Sequence, residues 1–147
     1  MKDYSKFLVK QYKHWGVYVH ENQGYLGRCY IWCEREDAKE LLDATKEEVD
    51  EFFEIAKELR EALQKSFGTE WFNYLFMGNT TPHLHCHVVP RYSTEKEFAG
   101  MKFKDERWGH SHKTDHSFIT PPEVLEKIRA TLADALANEA MDRGSNL

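Results

Sequence analysis

Three histidines alternate with apolar side chains in one short segment, residues 83–91 (HLHCHVVPR). Successive side chains of a β-strand point to opposite faces, so His83, His85 and His87 share one face, with neighbouring imidazoles about 6 to 7 Å apart. The apolar side chains between them occupy the other face and can pack beneath helices. A row of three imidazoles has no packing rationale, and the pattern therefore predicts a functional site on this strand.

Two chemistries compete for such a row, since an imidazole can be a nucleophile, a base, a hydrogen-bond donor to phosphate or a metal ligand. A zinc site would combine two strand histidines with a third ligand from a later segment, such as His110, His112 or His116. His83 and His87 are about 13 Å apart along an unbroken strand, too far to bind one ion. The spacing favours covalent catalysis at phosphorus, and a zinc-binding hydrolase remains an alternative.

The composition indicates a globular protein and predicts neither a membrane-spanning segment nor a surface that binds nucleic acid. The 147 residues, 41% of them hydrophobic, suit one domain spanning residues 1–147. Twenty Lys and Arg against 25 Asp and Glu give a net charge of -5, which leaves no broad basic face for nucleic acid. Apolar runs fall far short of the roughly 20 residues that span a bilayer, and no signal-peptide region is visible. We predict a soluble cytoplasmic protein.

The cysteine pattern argues against covalent or thiolate-metal stabilisation. The chain has three cysteines, Cys29, Cys33 and Cys86, with no CxxC pair among them. An odd count with this spacing fits neither a disulfide framework nor a zinc knuckle. We therefore expect three buried free thiols.

Periodicity predicts strands and helices in alternation. A hairpin joins β-prone residues 17–20 to a strand at 27–33, with the side chains of Arg28, Tyr30 and Trp32 on one face. Thr45 and Glu48 form a capping box for a helix that Gly68 ends. The apolar stripe of that helix is predicted as Val49, Phe52, Phe53, Ala56, Leu59 and Leu63.

The second half of the chain repeats the alternation. Strands are predicted at residues 71–77 and 83–92, followed by an irregular excursion over 93–117 that can cover a site. A C-terminal helix begins near residue 120. It buries a stripe consisting of Val124, Leu125, Ile128, Leu132 and Leu136.

The segment 83–89 resembles the signature of the histidine triad (HIT) superfamily, in its nucleotide-acting branch. Residues 25–28 (YLGR) resemble the family's entry to its central strand, and residues 43–48 resemble its helix start. The likeness covers about residues 14–92, and more weakly 103–109. It implies an α+β fold whose five-stranded antiparallel sheet carries a long helix and a C-terminal helix. It also implies an enzyme, usually dimeric, that hydrolyses or transfers nucleoside monophosphates.

Carried over by position, the resemblance assigns roles to the three histidines. His85 would attack the α-phosphorus in line and become transiently nucleotidylated, after which water releases the monophosphate. His87 would donate hydrogen bonds to the phosphate. His83 would support the ring order of the triad by bonding to a neighbouring group.

Further residues are candidates for binding the substrate. Asn79 and Thr80 precede the triad in a turn, where they can contact a phosphate oxygen, and Thr81 adds a hydroxyl. His20, Asn73 and Arg91 are weaker candidates for the nucleotide, with His20 near the ribose and Arg91 at the distal phosphates. No metal ligand and no cofactor are predicted; the alternative is a divalent metal ion that accompanies the substrate.

One departure from the family concerns the end of the second strand. Many relatives carry a further histidine there, whereas this chain has acidic residues around Arg35, which can compensate for the missing contact. Near Trp108 a short segment can stack a base or close the pocket.

The sequence therefore predicts a nucleotide hydrolase or nucleotidyl transferase. Its substrates would be dinucleoside polyphosphates, nucleoside phosphoramidates or adenylylated compounds, cleaved at the α-phosphate linkage. A nucleotide-binding regulatory module with little turnover is the alternative, beside the zinc-binding hydrolase. A homodimer is expected, because the edge strands of an open antiparallel sheet need a partner or a cover.

Overall fold

The computed structural model describes residues 3–145 of the chain, with side chains through residue 138. Two short 3-10 helices lie at Ser5–Phe7 and Leu41–Asp43. The strands and α-helices of this part of the chain are β1 (Leu8–Gln11), β2 (Trp15–Val19), β3 (Cys29–Cys33), α1 (Lys46–Phe67), β4 (Trp71–Leu75), β5 (His85–Arg91), β6 (Lys96–Phe98), β7 (Met101–Phe103) and α2 (Pro122–Ser145).

Five strands form one antiparallel sheet in the order β1-β2-β3-β5-β4. The triad strand β5 is thus an inner strand, paired with β3 on one side and β4 on the other. In the β3–β5 register Trp32 pairs with His85 and Tyr30 pairs with His87. This sheet with its two helices confirms the predicted α+β fold.

The hydrophobic core lies between α1, α2 and one face of the sheet. Cys29, Ile31 and Cys33 point into it from β3, and Cys86 joins them from β5. All three cysteines are buried free thiols, as predicted. The opposite face of the sheet is therefore left to the imidazoles of β5.

Helix α1 begins and ends where its capping residues require. Thr45 Oγ1 accepts a hydrogen bond from the Glu48 N–H, the Glu48 carboxylate accepts one from the Thr45 N–H, and Gly68 follows the helix with a left-handed φ of 69°. The predicted stripe is wrong at Phe53, which is 57% exposed, because the helix turns Ile55 into the core instead. The predicted stripe of α2 is buried throughout.

The excursion after β5 is more regular than predicted. Residues 93–117 contain the hairpin β6–β7, whose turn at Ala99 and Gly100 has positive φ at both residues. Phe98 packs edge-on against Phe67 of α1 at 5.2 Å, and Phe103 is buried. The prediction of an irregular segment is wrong here, since these aromatic side chains anchor the hairpin to the core.

Across the described residues, neither helix combines the length and the apolar character needed to cross a bilayer.

Candidate active site

A cavity of about 820 Å³ opens on the sheet face opposite the helices. His85 and His87 of β5 lie at its base beside aromatic side chains of β2 and β3. The loop that precedes the triad forms one wall, and residues 20–22 after β2 form another. The cavity is lined by Tyr4, Tyr18, Val19, His20, Glu21, Asn22, Tyr30, Trp32, Met77, Gly78, Asn79, Thr80, Thr81, His85 and His87.

The tautomer of His85 is determined by its hydrogen bond to the backbone. Its Nδ1 lies 2.6 Å from the carbonyl oxygen of His83, and a carbonyl oxygen only accepts, so Nδ1 carries the proton. In the neutral ring the lone pair is then on Nε2, the nitrogen that this carbonyl does not engage. His85 is 8% exposed, and this combination suits a nucleophile that is held in one orientation.

His83 supports the triad from outside the strand. The strand β5 begins at His85, two residues later than predicted, and His83 does not line the cavity. Its Nε2 donates to the Cys33 carbonyl at 2.5 Å, and its ring stacks on Trp32 with 4.0 Å between centroids. These two contacts fix the residue whose carbonyl orients His85.

His87 is a half-buried imidazole held next to His85. The two ring centroids are 5.0 Å apart and nearly perpendicular, and the ring of His20 lies 6.0 Å from His87. Burial, followed by the charge of Arg28 and the neighbouring imidazoles His85 and His112, lowers the pKa of His87 to about 4. His87 is therefore a neutral hydrogen-bonding group at physiological pH.

The loop between β2 and β3 is held together by a buried glutamine. Gln23 is fully buried, and its amide donates to the carbonyls of His20 and Arg28 while its Oε1 accepts from the Gly27 N–H. His20 Nδ1 accepts a hydrogen bond from the Asn22 N–H at 3.0 Å. The loop thus presents His20 to the cavity in a defined orientation.

Several predicted ligands of the nucleotide line the cavity. Asn79 and Thr80, together with Thr81, form the exposed loop between β4 and β5 that borders His85. His20 lines the cavity at the end of β2. The structure therefore brings these side chains together with two of the three triad histidines, and their binding roles remain predictions.

Arg91 does not face the cavity, and its predicted contact with distal phosphates needs correction. All five of its N–H groups are used inside the protein: Nε and one Nη2 hydrogen go to the Asp105 carboxylate, and the rest go to Asn73 Oδ1 and the carbonyls of Arg107 and His110. Arg91 is 4% exposed. Neither Arg91 nor Asn73 lines the cavity, because each is engaged in holding the later excursion against the sheet.

Arg35 also has a structural partner instead of a phosphate contact. Its guanidinium binds the Glu48 carboxylate at 3.1 and 3.2 Å and the Asp43 carbonyl at 2.6 Å, at the start of α1. Hydrogen bonds from Arg35 lower the pKa of Glu48 to about 2. The predicted compensation by Arg35 is wrong, and Trp108 likewise lies outside the cavity lining.

The histidines are not arranged as a metal site. Within the described residues, no group of three or more His, Cys, Asp or Glu side chains is placed to hold a metal ion. His83 and His85 each direct one ring nitrogen to a backbone carbonyl. Two of the three triad rings are thus held by hydrogen bonds to the backbone, and the absence of a cofactor remains a prediction.

Sequence reasoning missed the aromatic floor of the cavity and the buried Arg28. Tyr18 and Tyr30 stack with 5.2 Å between centroids and an interplanar angle of 6°. Tyr30 and Trp32 of β3 pair with His87 and His85, so these side chains share one face of the sheet, and Arg28 just before the strand has the same parity. Only the pairing of β3 with β5 reveals that contact, which a single sequence does not contain.

The sheet, the two helices and the ordered triad define the class of histidine triad proteins. The HIT domain family model matches residues 7–94, more than half of the chain, and the chain belongs to this family. No curated protein is similar enough to count as a match.

Solved structures share the fold at low sequence identity. A hypothetical histidine triad nucleotide-binding protein from Sulfolobus tokodaii is 15% identical, with a TM-score of 0.71 over 90% of this chain and 84% of that one. A histidine triad protein from Marinobacter aquaeolei is 17% identical, with a TM-score of 0.67 over 92% and 93%. The diadenosine triphosphate hydrolase of Plasmodium falciparum is 14% identical, with a TM-score of 0.65 over 91% and 78%.

Proposed function

We propose that the protein is a nucleotide hydrolase or nucleotidyl transferase that cleaves its substrate at the α-phosphate through a nucleotidyl-histidine on His85. The observation that carries the proposal is the hydrogen bond from His85 Nδ1 to the His83 carbonyl, which makes Nε2 the nitrogen that carries the lone pair of the neutral ring. Membership of the HIT family and the likeness to a diadenosine triphosphate hydrolase support it.

The reaction consists of two displacements at phosphorus. The Nε2 lone pair of His85 forms a bond to the α-phosphorus while the bond to the leaving group breaks and its electron pair departs with that group. Water then attacks the same phosphorus and releases a proton to the solvent, the N–P bond breaks, and the electron pair returns to Nε2. Catalysis of such a step depends on positioning and on neutralising the charge of the nonbridging oxygens. His87 and the amide of Asn79 line the cavity where those oxygens would lie.

The aromatic floor of the cavity supports a nucleoside as the transferred group. Tyr18 and Tyr30 offer stacked faces, and Tyr4 lies at the edge of the same cavity. Base stacking on aromatic side chains contributes about 1 to 3 kcal/mol for each base and tolerates different bases. His20 beside this floor is the proposed ligand of the ribose. Stacking alone does not select one base over another.

Release of nucleoside monophosphate tests this function against its alternative. Wild-type protein is incubated with diadenosine triphosphate, with diadenosine tetraphosphate and with an adenylylated amine, and the products are separated by chromatography. We expect AMP from at least one substrate, without added metal. Saturable nucleotide binding with no AMP from any of them would instead identify a regulatory binding module. Activity that a chelator removes would identify a metal-dependent hydrolase.

A homodimer through the edge of β4 is part of the proposal. This strand ends the five-stranded sheet, and its side chains Trp71 and Tyr74 are 65% and 42% exposed. Phe53 of α1 is 57% exposed on the helix side of the sheet. A two-fold axis would place two β4 strands side by side, so that their unpaired backbone groups satisfy each other.

Light scattering after size exclusion tests the dimer. We expect the mass of two chains for the wild type and of one chain for a variant with Trp71→Lys and Tyr74→Lys, because two charges on each strand oppose the pairing. Leu42→Lys, at a side chain that is 85% exposed in a 3-10 helix, is the matched control and should stay dimeric. A monomeric wild type would refute this part of the proposal.

A cytoplasmic location belongs to the same proposal. The three cysteines are free thiols, which fits a reducing compartment. Nucleic acid and membranes are not expected as partners, and a divalent metal ion that accompanies the substrate remains the alternative to a reaction without metal.

A further inference from the structure

Two buried nitrogen atoms on the imidazole side of the sheet have no hydrogen-bond partner among the described residues. They are Nδ1 of His87 and Nε of Arg28. An unpaired buried polar atom is costly, and such atoms are rare in native structures unless they serve a function. The two atoms therefore point to a role for Arg28 at the triad.

Arg28 lies diagonally across from His87 on the same face of the sheet. Tyr30 pairs with His87 in the β3–β5 register, and Arg28 precedes Tyr30 by two residues, so its side chain has the same parity. Diagonal neighbours on one face are about 7 to 8 Å apart between Cα atoms, a distance that a long side chain can span. The guanidinium is thus a neighbour of the His87 ring.

Arg28 is fixed both at its backbone and at its guanidinium. Its carbonyl accepts hydrogen bonds from the His20 N–H at 2.9 Å and from the Gln23 amide at 2.8 Å. At the end of the side chain, Nη1 donates to Thr114 Oγ1 at 2.8 Å, and the residue is 4% exposed. Within the described part of the chain no carboxylate pairs with the guanidinium, so its positive charge acts on the groups around it.

A guanidinium has hydrogen-bond donors but no acceptor, and this property restricts the proton of His87. A proton on Nδ1 would be buried without an acceptor and would lie near a positive charge, which is unfavourable for both reasons. An imidazolium has the same disadvantage, because it carries a proton on each ring nitrogen. The favoured state is the neutral ring with its proton on Nε2, whose Nδ1 presents a lone pair to its surroundings.

The other ionisable side chains around His87 do not offset this effect. The ring of His85 is 5.0 Å away on β5, and that of His20 is 6.0 Å away at the end of β2. Tyr30 of β3 keeps its phenolic proton, because burial raises its pKa. In the excursion after β7, burial lowers the pKa of His112, which favours the neutral ring.

The acidity of His87 agrees with this arrangement. Burial is the largest cause that lowers its pKa to about 4, and the charge of Arg28 is the next. The remaining causes are His85 and His112, so no carboxylate is among the groups that shift this pKa.

We propose that Arg28 is a positioning residue that holds His87 as the neutral tautomer with its proton on Nε2. The proposal rests on the function proposed above, in which His87 donates a hydrogen bond to the phosphate. Arg28 does not line the cavity, so it acts through His87. An acceptor, the His83 carbonyl, places the proton of His85 on Nδ1, whereas the donors of Arg28 keep the proton of His87 away from Nδ1.

Nitrogen NMR of the His87 ring measures both the tautomer and the titration. In the wild type we expect an unprotonated Nδ1 and a protonated Nε2 at neutral pH, with a midpoint of about 4. Arg28→Met removes the charge and the donors at similar side-chain length. Its midpoint should rise towards the ordinary histidine value of about 6.5, and both tautomers should be populated. Arg28→Lys keeps a charge and donors, and its midpoint should stay close to that of the wild type.

Arg107→Gln is the matched control. Arg107 belongs to the same excursion as Thr114, and its guanidinium binds the Ser111 carbonyl at 3.0 Å. Arg107 is not among the groups that shift the pKa of His87. The control should leave the tautomer and the midpoint of His87 unchanged, which separates the loss of Arg28 from a loosening of the excursion.

The rate of AMP release from diadenosine triphosphate connects the tautomer to the function. At neutral pH, Arg28→Met should lose about 10- to 100-fold in kcat, the range known for removal of an outer partner that orients a ligating histidine. Arg28→Lys should recover most of this loss. A folded Arg28→Met with a changed tautomer and the wild-type rate would show that the proton of His87 is not used, and would overturn the positioning role.

The two proposals fail separately. A wild-type His87 with its proton on Nδ1, or a folded Arg28→Met with the wild-type tautomer and midpoint, would overturn the role of Arg28 whatever the rates are. If Arg28→Met does not fold, the wild-type tautomer and the midpoint of Arg28→Lys decide instead. No AMP from the wild type would overturn the hydrolase function, and the NMR measurements would still decide whether Arg28 controls His87.

Discussion

Replacing His85 by alanine is expected to lower the rate of nucleoside monophosphate release by about 10⁴-fold or more, since the attacking atom itself is lost. The stacked rings of Tyr18 and Tyr30 and the loop at Asn79 remain, so nucleotide affinity should change little. Single-turnover rates and equilibrium binding, measured on the same preparation, separate the two effects. Circular dichroism verifies that the variant, which loses one buried ring, is still folded.

His110→Ala is the matched control for His85→Ala. His110 is an exposed histidine outside the cavity lining, and its structural contact is made through its backbone carbonyl, which the substitution preserves. Its rate should equal that of the wild type. If His85→Ala retained more than about a tenth of the wild-type rate, a nucleophilic role would be excluded, because nucleophile removal costs far more than that.

Replacing Arg91 by leucine is expected to lower the free energy of unfolding by about 3 to 5 kcal/mol, the usual loss when one partner of a buried ion pair is removed. The side chains of Arg91 and Asp105 are 4% and 1% exposed. Burial opposes ionisation of Asp105, but hydrogen bonds from Arg91 and from backbone N–H groups hold its pKa below the ordinary value. Without Arg91 the carboxylate loses its counter-charge, and the carbonyls of Arg107 and His110 lose their donors.

Urea unfolding measures this loss, with an exposed ion pair as the control. Lys46 and Asp50 are 82% and 63% exposed, and Lys46→Ala should leave the free energy of unfolding nearly unchanged, because solvent screens such a pair. The double variant with Arg91→Leu and Asp105→Leu should recover part of the stability, because no unpaired charge remains. A loss for Arg91→Leu no larger than that of Lys46→Ala would show that the buried pair does not hold the excursion.

The parts of the fold that were predictable depend on local chemistry. The alternation of His85 and His87 with Cys86 needs only the pleat of a strand, and the start of α1 needs only the side chains of Thr45 and Glu48. The choice of which face of a helix is buried depends on contacts with residues that are distant in the sequence. Phe53 and Ile55 are both apolar, and the packing of α1 against α2 and the sheet decides which of them is buried.

The errors at the site have a common physical cause. Arg91 follows the triad, and the sequence predicts that it binds phosphate. In the structure it forms a buried ion pair with Asp105, which lies 14 residues further along the chain. Arg35 likewise forms an ion pair with Glu48. Arg28, by contrast, donates to the hydroxyl of Thr114, and its charge helps to lower the pKa of His87. Which arginine meets a carboxylate depends on how distant segments return to the sheet, and the spacing of residues along the chain does not encode that.

The covalent intermediate on His85 is the central claim, and intact-protein mass spectrometry after rapid quenching without acid measures it directly. Wild-type protein mixed with diadenosine triphosphate should gain the mass of one adenylyl group before AMP appears, and fragmentation should place that group on His85. The same treatment of His85→Ala should give the unmodified mass. Release of AMP by the wild type under single-turnover conditions with no adduct at any time, or with an adduct on another residue, would contradict the account.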